Sequence, residues 1–195
     1  MTTQTSDKEF LFIVLTSNNV VDAIEQNLDK LIQIIPELQP TIGFDHKHPH
    51  HHLDVWGHTL LAISLSPNNF ETRIALLLHD IGKPHSFQDE GTFRHFWGHA
   101  DVSAQMSKQI LTRLNFAPNF VEDICHVIEN HDTPLTPDDI KLNKLSHKIF
   151  EVQCSDALAH NPQKNARRIQ YIENTKKEFL RHKITTEQKN TSAHF

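Results

Sequence analysis

Leu76-Leu77-Leu78-His79-Asp80-Ile81-Gly82-Lys83 is the stretch on which the fold turns. Three leucines run straight into an adjacent His-Asp pair. A carboxylate at the end of a buried helix gives up its water and needs a strong partner in return. A divalent metal is such a partner, and His and Asp side chains both bind one. The plain alternative is a His-Asp hydrogen bond at a helix terminus, with Gly82 as the C-cap residue. What the other helices turn inward decides between the two.

Working outward, Phe70 to Ile81 reads as a helix buried all round near its end. Ahead of it, from about Leu53, Val55, His58, Ala62 and Leu65 share a face, and Pro67 with Asn68-Asn69 breaks the pattern. Behind it, Ser86 to Arg94 reads as a polar loop. A long amphipathic helix then keeps His99, Val102, Met106, Ile110 and Leu114 together. Pro118 opens another, with Ile124, Ile128 and His131 on one face. Thr136-Pro137-Asp138-Asp139 is a good helix start: Thr as N-cap, Pro first, acids in the first turn. That helix aligns Leu142, Leu145, Ile149, Val152 and Asp156 and ends near Pro162; a charged helix from about Gln163 to Arg181 follows. At the front, Met1 to Glu9 is polar and expected to fray, and Phe10 to Ile35 has near-helical apolar spacing up to Pro36. Glu37 to His52 is the longest irregular stretch, the kind that often carries function. No internal repeat is visible, and no strand pattern exceeds the run Phe10–Leu15. The expectation is an all-α, single-domain helical bundle over residues 18–182, with an N-terminal segment at 1–17 and a polar tail at 183–195.

Composition narrows the function. The chain has 195 residues, enough for one domain with a sizeable core, and a net charge of −5. That balance argues against a general binder of nucleic acid or acidic membrane, so an anionic substrate would need a metal or a few local basic groups. Cys125 and Cys154 have no paired spacing and read as small core residues of a reducing compartment. The N-terminus shows no signal-peptide pattern, so the cytoplasm is the expected location. The count of 16 histidines is the anomaly. His46, His48, His50, His51 and His52 crowd one loop, where adventitious metal binding is the plain explanation. His85, His126, His147, His160, His182 and His194 read as surface or core residues.

The helical phases place His58, His79, Asp80, His99, His131 and Asp156 toward one bundle interior. One inward histidine is commonly a satisfied core residue, and one inward aspartate a cap or ion-pair partner. Six such residues with no matching inward Lys or Arg are hard to explain structurally. Four imidazoles and two carboxylates suit one or two divalent cations, a transition metal such as Mn, Fe, Co, Ni or Zn, or else Mg.

The order His58, His79-Asp80, Asp156 resembles the H…HD…D signature of the HD-domain superfamily of metal-dependent phosphohydrolases. The likeness covers roughly His50 to Pro162 and is strongest to stand-alone HD proteins related to the HD domain of bacterial tRNA nucleotidyltransferases. The phrases that carry it are Pro49-His50-His51, Asp54-Val55, His58-Thr59, His79-Asp80-Ile81-Gly82-Lys83-Pro84, Gly98-His99, Asn130-His131-Asp132 and Asp156-Ala157-Leu158-Ala159-His160-Asn161-Pro162. The resemblance implies His58, His79, Asp80 and Asp156 as ligands of a first metal. It implies Asp80 as a bridge to a second, held with His99 and His131. Two departures bear on that second metal: Ala100 replaces the acid common after the Gly-His pair, and Asp132 stands where some two-metal relatives have another His. No nucleotidyltransferase head is expected ahead of the HD-like region, so CCA addition by this chain alone is not expected.

The expected chemistry is hydrolysis of a phosphoester, such as a nucleotide or related small molecule, by metal-activated water, with Asp80 at its centre. Lys83, Arg94, His95, His50 and His51 are the candidates to hold phosphate or protonate the leaving group. Lys83 leads because it follows the ligand pair, and His95 joins the metal's surroundings if its segment is already helical. Arg167, Arg168, Lys176 and Lys177 read as one solvated helix. Expected partners are the small-molecule phosphoester and, as an option, further copies of the chain in a homo-oligomer; neither a membrane nor nucleic acid is expected. The same ligands would also serve a di-iron oxygenase of this fold or a nucleotide-sensing module without turnover.

Overall fold

A computed structural model describes the backbone of residues 6–142 and 145–192 and the side chains of residues 6–140 and 145–181. Eleven α-helices run through the described residues: α1 (Asp7–Leu15), α2 (Val20–Gln26), α3 (Leu28–Ile34), α4 (Val55–Ser64), α5 (Phe70–Leu78), α6 (Lys83–Ser86), α7 (His99–Arg113), α8 (Pro118–Glu129), α9 (Pro137–Leu142), α10 (Ser146–Ala159) and α11 (Ala166–Ser192). A short antiparallel hairpin, β1 (Gln88–Asp89) with β2 (Arg94–His95), lies in the stretch read as a plain polar loop. The fold is all-α, as the periodicities predict.

The leucine run does what its composition requires. Leu76, Leu77 and Leu78 are all buried on α5, each worth roughly 1.5–3 kcal/mol of transfer free energy. Around α5 pack α4, α8 and α10, and α7 lies along α8. On the far side α1, α2 and α3 close the core with Leu11, Leu15, Ile24, Leu31 and Ile35. Buried Arg73 ties α1 to α5: its guanidinium donates to the Leu15 and Ser17 carbonyls at 2.7 and 2.9 Å. The Leu15 carbonyl is an orphan C-terminal acceptor of α1, satisfied by a side chain from another helix, and Ser17 lies just past the helix end.

Several boundaries differ from the periodic reading. The stretch Phe10 to Ile35 is three helices, broken at 16–19 and at Asn27. The segment 1–17 contributes α1, whose Leu11 and Leu15 share the core of the following helices, and the Phe10–Leu15 run is helical. The helix predicted from Thr136 through Asp156 is two, α9 and α10; Leu142's side chain lies outside the described residues. The last helix runs on to Ser192, through most of the stretch read as a polar tail. His182 and His194 lie outside the described side chains. On α7 the buried stripe is His99, Ser103, Ser107, Ile110 and Leu111, with Val102 and Met106 only half-buried at its flank.

The reason for that rotation is Gly82. A Cβ on Gly82 would sit 2.6 Å from the His99 carbonyl, 2.7 Å from the Ser103 nitrogen and 2.8 Å from Ser103 Oγ. The Gly82 N–H donates to Ser103 Oγ at 2.9 Å. So Gly82 is not a left-handed C-cap: its φ is −77°, ordinary helical territory. It lets the turn after α5 touch the start of α7, which brings His79-Asp80 to His99.

Candidate metal centre

The six inward residues lie close together in one part of the interior. His58 comes from mid-α4, whose N-terminus is fixed by Asp54: Oδ1 accepts from the Gly57 N–H at 2.8 Å. His79 and Asp80 follow the last turn of α5, His99 opens α7 and Asp156 lies on α10. His131 lies two residues past α8, beyond its Asn130 C-cap, and not on the helix itself. All six are buried.

Asp80 is the pivot. Its Oδ2 lies 3.2 Å from His79 Nε2 and 3.8 Å from His58 Nε2, while its Oδ1 lies 3.3 Å from His99 Nε2 and 3.8 Å from His131 Nε2. One carboxylate thus faces two histidine pairs, one with each oxygen. Asp156 completes the first set, its Oδ1 at 2.8 Å from His58 Nε2 and 3.7 Å from His79 Nε2. Asp132 completes the second, its Oδ2 at 3.2 Å from His99 Nε2 and 3.8 Å from His131 Nε2. In the sequence Asp132 stands out only as a departure from the pattern; in the structure its carboxylate joins His99 and His131 in a group that could hold a metal ion.

The second nitrogen of each imidazole is held by backbone. Nδ1 of His79 donates to the Leu76 carbonyl at 2.7 Å, that of His131 to Ile128 at 2.6 Å and that of His99 to Phe96 at 2.9 Å. His58 Nδ1 faces the Ala159 carbonyl at 3.4 Å. Such a clamp fixes the tautomer and turns the Nε2 lone pair inward, the arrangement that metal-binding histidines use.

The donor set also shows a deficit that a cation would fill. His79 Nε2 and Asp80 Oδ1 are buried and make no hydrogen bond. Groups in that state cost about 1–3 kcal/mol each or more. Burial opposes charge on His79, yet the Asp80 and Asp156 carboxylates outweigh it and push its pKa up to about 10. Burial likewise opposes charge on Asp80, but His79 and Lys83 beside it hold its carboxyl well below the usual range. Three overlapping groups have ligand atoms close enough for a metal ion: His58, His79 and Asp156; His79, Asp80 and His131; His99, His131 and Asp132. The residues fit a centre of one or two cations.

A cavity of about 370 Å³ opens over this centre. Lys83, Arg94, His95 and His51 line it; His50 does not, being exposed on the loop with its carbonyl accepting from the Asn161 N–H. Lys83 is buried, and its ammonium donates to Asp80 Oδ2 at 2.7 Å and faces His46 Nε2 at 3.3 Å. Arg94 Nε donates to Asp89 and Nη1 to the Asp45 carbonyl, and the guanidinium lies over the Phe44 and Phe87 rings. His95 lies on strand β2, so the helical spacing to His99 does not apply; its ring stacks on Trp97 at the rim, 4.7 Å between centroids.

The histidine loop is strapped down. The Arg94 N–H donates to the Lys47 carbonyl, Lys47 pairs with Asp89 at 3.0 Å, and Asn161 holds the His50 and Pro49 carbonyls. Within it His46 and His51 stack at 3.7 Å, and His51 reaches His160 at 4.4 Å. His160 is buried and lines the cavity, a position its sequence context did not single out. Burial and Lys83 push His46 down to about 3, and burial brings His160 down to about 4. Arg168, read as part of a solvated helix, also reaches the site: its Nη1 donates to Asp156 Oδ2 at 3.1 Å.

Two curated relatives match part of the chain. One is a CC-adding tRNA nucleotidyltransferase from Thermus thermophilus, 39% identical over 105 residues, which are 50% of this chain and 24% of the relative. The other is an A-adding tRNA nucleotidyltransferase from Deinococcus radiodurans, 35% identical over 125 residues, 60% of this chain and 29% of the relative. The chain therefore spans under a third of the length of either. No helix among the described residues is long and apolar enough to cross a membrane. A family model described as HD domain matches residues 50–172, which include all six inward residues together with Asp132 and Arg168, and the chain belongs to the HD domain family.

Proposed function

We propose that the protein is a metal-dependent phosphohydrolase that cleaves a phosphoester, a nucleotide or related small molecule, at the Asp80 centre. The observation that carries this reading is the division of Asp80 between two backbone-clamped histidine pairs, each completed by a further carboxylate. A divalent cation bound there supplies water acidified toward neutral pKa and a counter-charge for phosphoryl oxygen. The chain's own residues do the rest. Asp80 and Asp156 give negative charge to one set, Asp80 and Asp132 to the other, and the backbone carbonyls of Leu76, Phe96 and Ile128 keep the imidazoles aimed. Lys83 acts through Asp80, limiting the repulsion among buried carboxylates. His95 at the rim is the group placed to give a proton to the leaving oxygen; burial and Lys83 push the His51 imidazole well down, so it stays neutral and does not serve as the acid.

The two relatives are named for adding nucleotides to tRNA, but the match covers under a third of either. The centre described here is chemically suited to water attack, and hydrolysis is the reading it supports best. The test is elemental analysis of untagged protein joined to a screen of phosphomonoesters and phosphodiesters, on wild type and Asp80→Ala. Metal and phosphate release in wild type, both lost in the variant, support the reading. Metal specifically bound with no ester cleaved would sink it.

A further inference from the structure

We infer that Arg168 is the residue of this site that grips the anionic oxygens of the substrate. The inference rests on the phosphoester reading above and names the group that meets the phosphate. Three cationic side chains line the cavity among the described residues: Lys83, Arg94 and Arg168. Lys83 is buried, with its ammonium committed to Asp80 and facing His46. Arg94 is committed to Asp89 and to the Asp45 carbonyl and is packed against two phenylalanine rings. Arg168 differs from both. Its side chain is 46% exposed, its Nη1 donates to Asp156 Oδ2 at 3.1 Å, and its Nη2 lies 3.6 Å from Asp132 Oδ1.

A guanidinium carries five N–H donors in a fixed fork that matches a phosphoryl group in shape and charge. Arg168 is held in place without using them all. Its anchor is well chosen, because Asp156 divides its oxygens: Oδ1 faces His58 and Oδ2 faces Arg168. The carboxylate can therefore serve the histidine set and keep the arginine at the mouth together. Arg168 also borders an adjoining cavity of about 290 Å³ lined by Pro134, Ala157 and Tyr171, so it sits where the two spaces meet. A phosphoester entering a site with Asp80, Asp132 and Asp156 brings more negative charge to three carboxylates, and a cation at the entrance offsets it.

The test uses the full chain reconstituted with metal, in four forms: wild type, Arg168→Gln, Arg168→Lys and Arg167→Gln. Metal content is read by elemental analysis and inorganic phosphate binding by calorimetry. Arg168→Gln is expected to keep its metal and to lose phosphate affinity roughly ten- to hundredfold, the worth of a hydrogen bond to a charged group. Arg168→Lys should recover part of the loss, since it restores charge without the fork, and Arg167→Gln should match wild type. Unchanged phosphate affinity in Arg168→Gln overturns the inference. So does loss of metal together with phosphate, unrelieved by lysine, which would mean that Arg168 only positions Asp156. Wild type that holds metal and binds no phosphate would defeat the phosphoester reading itself, and that failure shows before any variant is compared.

Discussion

The inward histidines and the loop histidines meet across a few ångströms, and they differ in what their free nitrogen faces. His79 and His46 each point Nδ1 at a backbone carbonyl, of Leu76 and of Leu53. Beyond that the two diverge. Nε2 of His79 looks at the carboxylates of Asp80 and Asp156, and Nε2 of His46 looks at the ammonium of Lys83. The same side chain is pushed up to about 10 in the first place and down to about 3 in the second. An imidazole facing a cation is a neutral acceptor and has no lone pair to spare for a metal; one facing carboxylates has its ligand partners already in place. Ligand capacity is thus set by the opposing charge and not by the number of histidines nearby.

The comparison can be broken most decisively at Asp80. Asp80→Ala removes the carboxylate shared by both inward pairs, and metal content per chain is expected to fall to the background of the loop, measured on untagged protein. His50→Ala, on the exposed loop, should leave metal content at the wild-type value; a large loss there would mean that the loop binds the metal. Next in size is Asp132→Asn. It should lower metal occupancy of the His99-His131 set while the His58-His79 set keeps its ion, which competition with a chelator would resolve into one weakened and one unchanged site.

Gly82→Ala tests whether the inward set depends on close packing that the loop does not need. Its Cβ would meet α7 backbone at 2.6 and 2.7 Å, so a loss of roughly 1–3 kcal/mol is expected in urea denaturation, with His99 displaced from Asp80. The smallest effect is in the pH dependence of the metal-free protein. His46 and His160 have folded pKa values below the unfolded histidine value, so the unfolded chain binds more protons below about 6.5. Stability should fall as pH drops from about 6.5 toward 4. His79 has a raised folded pKa, so the stability it gives is complete below about 6.5 and is lost as pH climbs toward 10. His46→Gln should flatten the acid limb alone; equal flattening of both limbs would show that the two histidine populations are not separate.

The sequence made the inward set legible because helical period carries a face. His58 and Asp156 stand among apolar residues at spacings of three and four, and the leucine run marks where His79 and Asp80 must lie. Period says nothing about which loop meets which helix. Arg168 looked solvated because α11 is charged along its length; only the turn through Asn161 and Asn165 brings its start back to Asp156, with Asn165 donating to the Ala157 carbonyl at 2.7 Å. Asp132 and His160 each follow the end of a helix, where phase stops predicting direction. The α7 stripe departs from the apolar period for a related reason: the Gly82 turn presses on Ser103, and small polar residues such as the buried Ser103 and Ser107 leave no apolar signal.

The chain has two tryptophans, and the fold gives them opposite surroundings. Trp56 is 7% exposed within α4, and Trp97 is 63% exposed, at the rim of the cavity and stacked on His95. Emission from the protein therefore has a blue, shielded part and a red part open to a soluble quencher. The red part belongs to a ring at the entrance, so a ligand that settles there changes fluorescence directly. Occupancy can be followed on the native chain by light alone, without a label and before any product is known.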